Sequence, residues 1–134
     1  MANVTKAVHY ILANTAAVTT LVSTRIWRTR ADQKSTTFPR IVITRISNIP
    51  QSHKDNNNFI FSRVQVSCFA TDQKQADALA AVVRTALDRV TNAVKNGIHI
   101  AQIDILDEID LAEDYAGFNG IFQIALDFQV AYNG

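Results

Sequence analysis

The sequence predicts an α+β fold, in which a largely antiparallel β-sheet carries two main helices packed on one face, in the order α-β-β-α-β-β. Two segments have apolar residues at helical spacing, and four segments are rich in β-branched or alternating apolar residues. Polar, turn-forming runs connect strand segments that are neighbours along the chain, which favours hairpins. A chain of 134 residues is the size of one domain, so we expect residues 1–134 to form a single domain.

Two amphipathic segments predict the main helices. The first runs from Val4 to Leu12, where apolar residues recur at offsets of three and four. The second begins after Asp72, which has the form of a capping-box residue with Gln75 three positions later. Its apolar positions continue at helical spacing from Ala76 to Val90. Asn14 is expected to cap a further, short helical piece between the first helix and the sheet.

Four segments predict the strands of the sheet. They are Ile41–Ile46, Phe59–Ala70, Ile98–Leu106 and Gly120–Tyr132. Ile49-Pro50 is expected to end the first of them, and the polar loop Gln51–Asn58 then joins it to the second as a long hairpin.

Alternation within the second and fourth strands predicts which face enters the core. In the second, the face from Ile60 to Cys68 is the more apolar. In the fourth, the apolar face runs from Phe122 to Val130. Asn96-Gly97 marks a turn before the third strand, and Asp107–Asn119 is predicted to be an acidic connection between strands.

Charge is unevenly distributed along a chain whose net charge is only +1. The first third is basic, and the acids from Asp104 to Asp114 occur without any base among them. The two regions therefore have opposite net charge. The near-zero sum argues against a dedicated nucleic-acid binder. No secretory signal or apolar run of membrane-spanning length is evident, so we expect a protein made in a reducing cytoplasm, with its single cysteine, Cys68, buried and inert.

A search for reactive chemistry finds no catalytic, cofactor-binding or metal-binding motif. His9, His53 and His99 are far apart, and no phosphate-binding loop or nucleophile elbow is present. The acidic run lacks the order of a calcium loop, although its paired carboxylates Asp107 and Asp110 leave acid–base catalysis as a minor alternative. We therefore expect a protein that is not an enzyme.

Two aromatic clusters leave nucleic-acid binding open as an alternative. Phe59, Phe61 and Arg63 alternate on one strand face and could stack on bases, or pack against a neighbouring element or subunit. Trp27 is flanked by arginines that could contact DNA, or face a partner protein while the indole anchors the contact. The complementary acidic run in the same chain favours the protein partner.

The order of these features resembles the tail-completion, or tail-terminator, proteins of long-tailed bacteriophages. The segment Arg63–Leu87 is similar to the strand and Ala-rich helix at the centre of that family. Arg25-Ile26-Trp27 matches its Arg-Ile-aromatic element, and Phe38–Ile43 matches its strand entry, except that Arg40 replaces a common aromatic. The last third has no diagnostic motif.

The resemblance implies a structural virion protein without chemistry, with a fold similar to the lambda tail terminator. It implies a homohexameric ring at the head-proximal end of the tail, assembled in the host cytoplasm. Such a ring ends polymerisation of the tail tube protein and docks to the head–tail connector protein. DNA passes through its lumen without being read, and no membrane is involved. Another head–tail connector protein and a nucleic-acid-binding module remain alternatives.

A closed ring needs two unlike surfaces on each subunit, and the basic and acidic regions can supply them. The acidic run is expected at a subunit interface or along the lumen, and the polar hairpin tip is expected to reach a neighbouring ring or tube. The candidate interface residues are Arg25, Trp27, Arg28, Arg30, His53, Lys54, Asp55, Asp107, Glu108 and Asp110.

Overall fold

In the computed structural model, the described part of the chain forms three helices and six strands. Residues 4–23, 25–28, 39–52, 58–95, 98–115 and 118–133 are described, and side chains are described for 4–23, 25–28, 39–47, 60–91, 99–109 and 122–132. The elements are α1 (Val4–Ala13), α2 (Ala16–Val22), β1 (Ile26–Arg28), β2 (Arg40–Ser52), β3 (Asn58–Ala70), α3 (Gln73–Leu87), β4 (Thr91–Lys95), β5 (Ile98–Tyr115) and β6 (Phe118–Asn133).

The six strands form one sheet in the order β1-β2-β3-β6-β5-β4. All neighbouring pairs are antiparallel except β1 with β2, which are parallel. Helices α1 and α3 pack together on one face of this sheet, and α2 contacts both of them. The predicted α+β fold, with a largely antiparallel sheet and two main helices, is therefore confirmed.

The core lies between the helices and one face of the sheet. Val64, Val66 and Cys68 of β3 are fully buried there, as the alternation of that strand predicts. Leu126 and Phe128 lie beside them on β6. The opposite face of the sheet, which we call the open face, carries mainly polar side chains in the described residues.

Local hydrogen bonds explain where the helices begin and end. Asp72 caps α3 as predicted, and its carboxylate accepts a hydrogen bond from the Lys74 backbone N–H at 3.2 Å. The prediction that Asn14 caps α2 is wrong, since the N-cap is Thr15. Asn14 instead follows the last residue of α1, and its backbone N–H and side-chain amide both donate to the Tyr10 carbonyl, at 3.1 and 2.8 Å.

Several strands differ from their predicted bounds. β2 does not end at Ile49-Pro50 but continues to Ser52. Proline is tolerated there because β1 pairs only with Ile41–Ile43, which leaves the far part of β2 at the edge of the sheet. β1 and β4 are additional strands, so the observed order is α-α-β-β-β-α-β-β-β. The second main helix ends at Leu87, and Val90 lies beyond it.

The largest correction concerns Asp107–Asn119, which is not a connection. β5 continues through the acidic run to Tyr115, and β6 begins at Phe118, so the two strands form a long hairpin. Aspartate and glutamate are depleted in strands, and this hid the element in the sequence. Pairing with the strongly apolar β6 overrides that preference.

Candidate subunit interface

Arg25, which directly precedes β1, forms hydrogen bonds within its own subunit. Its Nε donates to the Pro39 carbonyl at 2.9 Å, and its Nη2 donates to the Leu21 carbonyl at 3.4 Å. Its backbone carbonyl accepts from the Ile41 N–H at 3.0 Å. The half-buried Arg25 therefore ties α2 to the start of β2, and its guanidinium is largely committed within the subunit.

Arg28, at the other end of β1, is exposed and lies beside a basic cleft. The cleft has a volume of about 600 Å³ and is lined by Lys6, His9, Tyr10, Ala13, Asn14 and Arg28. Lys6 and Tyr10 project from the outward side of α1 and are exposed. The cleft places two exposed cations at the β1 edge of the sheet, where a negatively charged partner would be attracted.

The acidic candidates lie on β5, near the other edge of the sheet. Asp107 and Glu108 are exposed. Glu108 forms an ion pair with Arg84 of α3, on the helical side of the sheet. Asp107 faces the open side, and its Oδ1 also accepts the Glu108 backbone N–H at 2.8 Å. The backbone of Asp110 continues β5 opposite Ile124.

Arg63 and Asp127 form an ion pair on the open face of the sheet, close enough to Asp107 for its charge to act on Arg63. Arg63 donates to Asp127 Oδ2 at 2.5 Å across β3 and β6, and the Asp127 carboxylate is almost fully buried. This hydrogen bond, and the negative charges of Asp127 and Asp107, raise the pKa of the Arg63 guanidinium above its usual range. Arg63 therefore pairs with an acid within the sheet, although its side chain remains about half exposed.

The sheet register places the basic and acidic candidates at the same height on opposite edges. β4 pairs with β5 only from Ile98 to Gln102, so β1 and β5 are the two edge strands at this height. The row that begins at Arg28 reads Arg28, Ile43, Val66, Leu126, Glu108. The row that begins at Ile26 reads Ile26, Ile41, Cys68, Ile124, Asp110.

The row between them adds two apolar candidates. It reads Trp27, Val42, Ser67, Ala125, Ile109 and lies on the open face. Trp27 is half-buried, and Ile109 is 41% exposed. Ile109 was not among the residues predicted from the sequence, because its apolar side chain stands out only once the acidic run is recognised as a strand. Lys6 and Tyr10 were not predicted either. Their polar positions on the side of α1 that faces away from the core could have indicated them.

Four predicted site residues lie outside the described residues. They are Arg30, His53, Lys54 and Asp55. The strands on both sides of the last three are described, and Ser52 pairs with Asn58 where the β2–β3 hairpin approaches its tip.

The described residues hold neither a candidate metal site nor a helix fit to span a membrane. No group of three histidine, cysteine, aspartate or glutamate side chains there is arranged to hold a metal ion. Among the helices of the same residues, none has the length and apolar character that crossing a lipid bilayer requires.

Comparison with known proteins places the chain in a family. The family model described as "Tail completion protein gp17" matches residues 6–133. Among solved structures, a chain of a "Virion of native gene transfer agent (GTA) particle" is similar in fold, with a TM-score of 0.79 and 19% sequence identity over 96% of this chain and 92% of that chain. No curated protein matches. Because the family model covers almost the whole chain, this protein belongs to the tail completion protein gp17 family, and it is a structural tail-completion protein of a virion.

Proposed function

We propose that this chain assembles into a ring, with six copies, at the head-proximal end of a long phage tail. The ring ends polymerisation of the tail tube protein and offers its other side to the head–tail connector protein. DNA passes through the lumen without being read. Assembly takes place in the host cytoplasm, and the chain performs no catalysis.

The observation that carries this proposal is the placement of opposite charges on opposite edges of one sheet. Arg28 and the basic cleft lie at the β1 edge, whereas Asp107 and Glu108 lie on β5. A subunit with two unlike, complementary surfaces makes heterologous contacts, and such contacts close into a ring when the rotation between copies allows it. Opposite potentials also steer the copies together and disfavour wrong pairings.

The β2–β3 hairpin is the proposed contact with the next component of the tail. Its two strands pair as far as Ser52 and Asn58, and its tip carries His53, Lys54 and Asp55. Those residues are polar and unsuited to a core. We assign them to contacts with the tube or the connector.

Charges on the open face argue against the alternative of a nucleic-acid-binding module. Arg63 is paired with Asp127, and the Arg40 guanidinium lies 5.7 Å from the centroid of the Phe69 ring. Both cations are therefore engaged within the sheet. A sheet that binds nucleic acid presents cations and aromatic rings to the phosphates and bases.

Negative-stain imaging of the purified protein, alone and mixed with tail tubes, tests the ring. We expect sixfold rings, either free or capping one end of each tube. Tubes that remain uncapped, together with a protein that stays monomeric, would contradict the proposal. Tight DNA binding that weakens steeply with salt would instead support the nucleic-acid-binding module.

A further inference from the structure

Among the described residues, no strand pairs with the outer edge of β5 along the acidic run. Ile103 exchanges hydrogen bonds with the turn after α3, since its N–H donates to Val90 O at 2.9 Å and its carbonyl accepts from Arg89 N at 2.8 Å. The Ile105 N–H donates to the Asp88 carboxylate at 3.2 Å. Beyond this point, no described strand lies outside β5.

Alternation of the ladder identifies the outward-facing groups. In an antiparallel pair, every second residue directs its N–H and C=O away from the partner strand. Following Ile103 and Ile105 through the bulge before Asp107, the outward residues are Glu108, Asp110 and Ala112. Within the described part of the chain, the Glu108 N–H donates to the neighbouring Asp107 side chain, at 2.8 Å, and to no other strand. The edge is thus open to a further strand.

β1 is at the other edge of the sheet, where no described strand pairs with its outer side. The Ile41 N–H donates to the Arg25 carbonyl, which fixes the alternation of this parallel pair. Residues Arg25 and Trp27 direct their backbone groups to β2, and Ile26 and Arg28 direct theirs outward. β1 is the last described strand on this side.

We infer that copies of this chain join by sheet extension, with β1 of one copy adding to the outer edge of β5 of the next. This inference rests on the proposed ring and specifies its contact. Counting strand directions across the sheet makes β1 antiparallel to β5, so the added strand pairs in the antiparallel sense. The equal height of the two edges sets the register, in which Arg28 meets Glu108, Trp27 meets Ile109 and Ile26 meets Asp110.

The side chains match in this register. Arg28 and Glu108 lie on the helical face, where a guanidinium meets a carboxylate that already neighbours Arg84. Trp27 and Ile109 lie on the open face, where two apolar side chains that are partly exposed in the single subunit cover each other. Directly opposed side chains in an antiparallel pair have Cβ atoms about 4.5–5.5 Å apart, which is close enough for both contacts.

Pairing of two β5 edges with each other is disfavoured by charge. It would bring Asp107, Glu108 and Asp110 of one copy against the same acids of the other, and opposed like charges destabilise a sheet. The acids therefore reject an identical edge and accept the edge that carries Arg28. The same charges disfavour pairing of this edge with strands of unrelated proteins.

Cross-linking in assembled particles tests the register. The variant with Trp27→Cys and Ile109→Cys should form a ladder of disulfide-linked oligomers on mild oxidation. The control pairs Trp27→Cys with Leu106→Cys, which is also exposed on β5 but lies about 10 Å further along the strand and beyond disulfide reach. Cys68 is fully buried and gives no background. Equal ladders from both variants, or none from either, would overturn the register.

A proline tests the backbone contact separately from charge. Asp110→Pro removes an outward N–H, whereas Asp110→Ala removes the same carboxylate and retains the N–H. We expect the proline variant to lose ring formation and the alanine variant to keep more of it, with both monomers melting as cooperatively as the unchanged chain. Rings that form equally well with the proline would overturn strand addition.

Imaging of particles with the unchanged protein distinguishes failure of the proposed ring from failure of sheet extension. Particles without a ring of this protein would refute the proposed function. A ring whose copies do not cross-link at Trp27 and Ile109 would leave the function intact and refute sheet extension.

Discussion

Arg25 and Arg28 are three positions apart and carry the same charge, but they have different surroundings. The Arg25 guanidinium bonds two carbonyls of its own chain, and Arg28 is exposed beside Lys6 at the basic cleft. Of the two, Arg28 is the one whose exposure would allow contact with a partner's carboxylate. Removing Arg25 would leave those carbonyls without a donor and would disturb the junction of α2 with the sheet.

A matched pair of leucine substitutions tests the assignment of the core. Leu126 is fully buried on β6, whereas Leu106 is 50% exposed at a bulge in β5. Leu126→Ala should lower the free energy of unfolding by about 2–5 kcal/mol, because it leaves a cavity under α3. Leu106→Ala should change it by less than about 0.5 kcal/mol. Urea unfolding of both variants measures the difference, and similar losses would contradict the assignment.

Cys68 gives the stability of the fold a predictable dependence on pH. Burial, with a smaller contribution from Glu108, raises the pKa of this thiol far above its usual range. The unfolded thiol ionises near pH 8.5, while the folded thiol keeps its proton. The contribution of Cys68 is therefore complete below about pH 8.5 and is lost as the pH rises, by about 1.4 kcal/mol per pH unit.

Unfolding in urea at several pH values measures this loss against a Cys68→Ala control. The free energies of unfolding of the two proteins should converge by about 1.6 kcal/mol between about pH 8.5 and pH 10. The control carries the titrations of all other groups, so only the difference reports the thiol. A constant difference would show that the thiol ionises in the folded protein as readily as in the unfolded one.

At the scale of elements, the hairpin of β5 and β6 is the feature that organises the candidate interface. The two strands pair from Ile100 with Tyr132 to Tyr115 with Phe118, with three irregularities along β5. β3 ends at Ala70, which pairs with Phe122, so the last part of the hairpin extends beyond its neighbour. Bulges add twist, and they allow a strand rich in acids to follow the curved edge of the sheet.

The β2–β3 hairpin provides a test at the same scale. Deleting Ser52–Asn57 should leave the subunit folded, because the described core residues of β2 and β3, such as Ile43 and Val64, are several positions away from the deletion along each strand. Tails should nevertheless fail to join heads, because the proposed contact with the tube or connector is lost. Thermal unfolding provides the control for folding, and an infectivity assay reports joining. Normal numbers of infectious particles would refute the role of the tip.

At the scale of the whole molecule, the fold converts a charge asymmetry along the chain into one across space. α1 contacts β1, β2 and β4, and therefore reaches strands at both edges of the sheet. The basic cleft between α1 and Arg28 lies at one edge, and the acids of β5 lie near the other. One subunit cannot bring these surfaces together across its own sheet, but two copies can.

Charge reversal tests whether these surfaces meet. Arg28→Glu or Glu108→Arg alone should reduce ring formation, because each places like charges in contact. The double variant should restore it, because the pair is reversed. Glu108→Arg also removes the exposed ion pair with Arg84 and places two guanidinium groups side by side. Exposed charge contacts of this kind are each worth only about 0–1 kcal/mol, so folding is preserved. A double variant that assembles no better than the single variants would disprove the pairing.

The sequence by itself determined the fold class, the two main helices, the buried faces of β3 and β6, and the family. The family followed from a resemblance, whereas the fold class, the helices and the buried faces depend on local spacing. Apolar residues at offsets of three and four lie on one side of a helix, and alternating residues lie on one side of a strand, whatever surrounds them. The cap at Asp72 is equally local, since its acceptor lies two residues from its donor.

Tertiary structure decided the rest, above all the nature of the acidic run. A run of aspartates and glutamates is typical of a loop in sequence. Here it is a strand because its backbone pairs with the long apolar strand β6. Only the strand order shows that Arg28 and Glu108 stand at equal height on opposite edges, because register is a relation between segments distant in sequence. The commitment of Arg25 to internal carbonyls was invisible for the same reason.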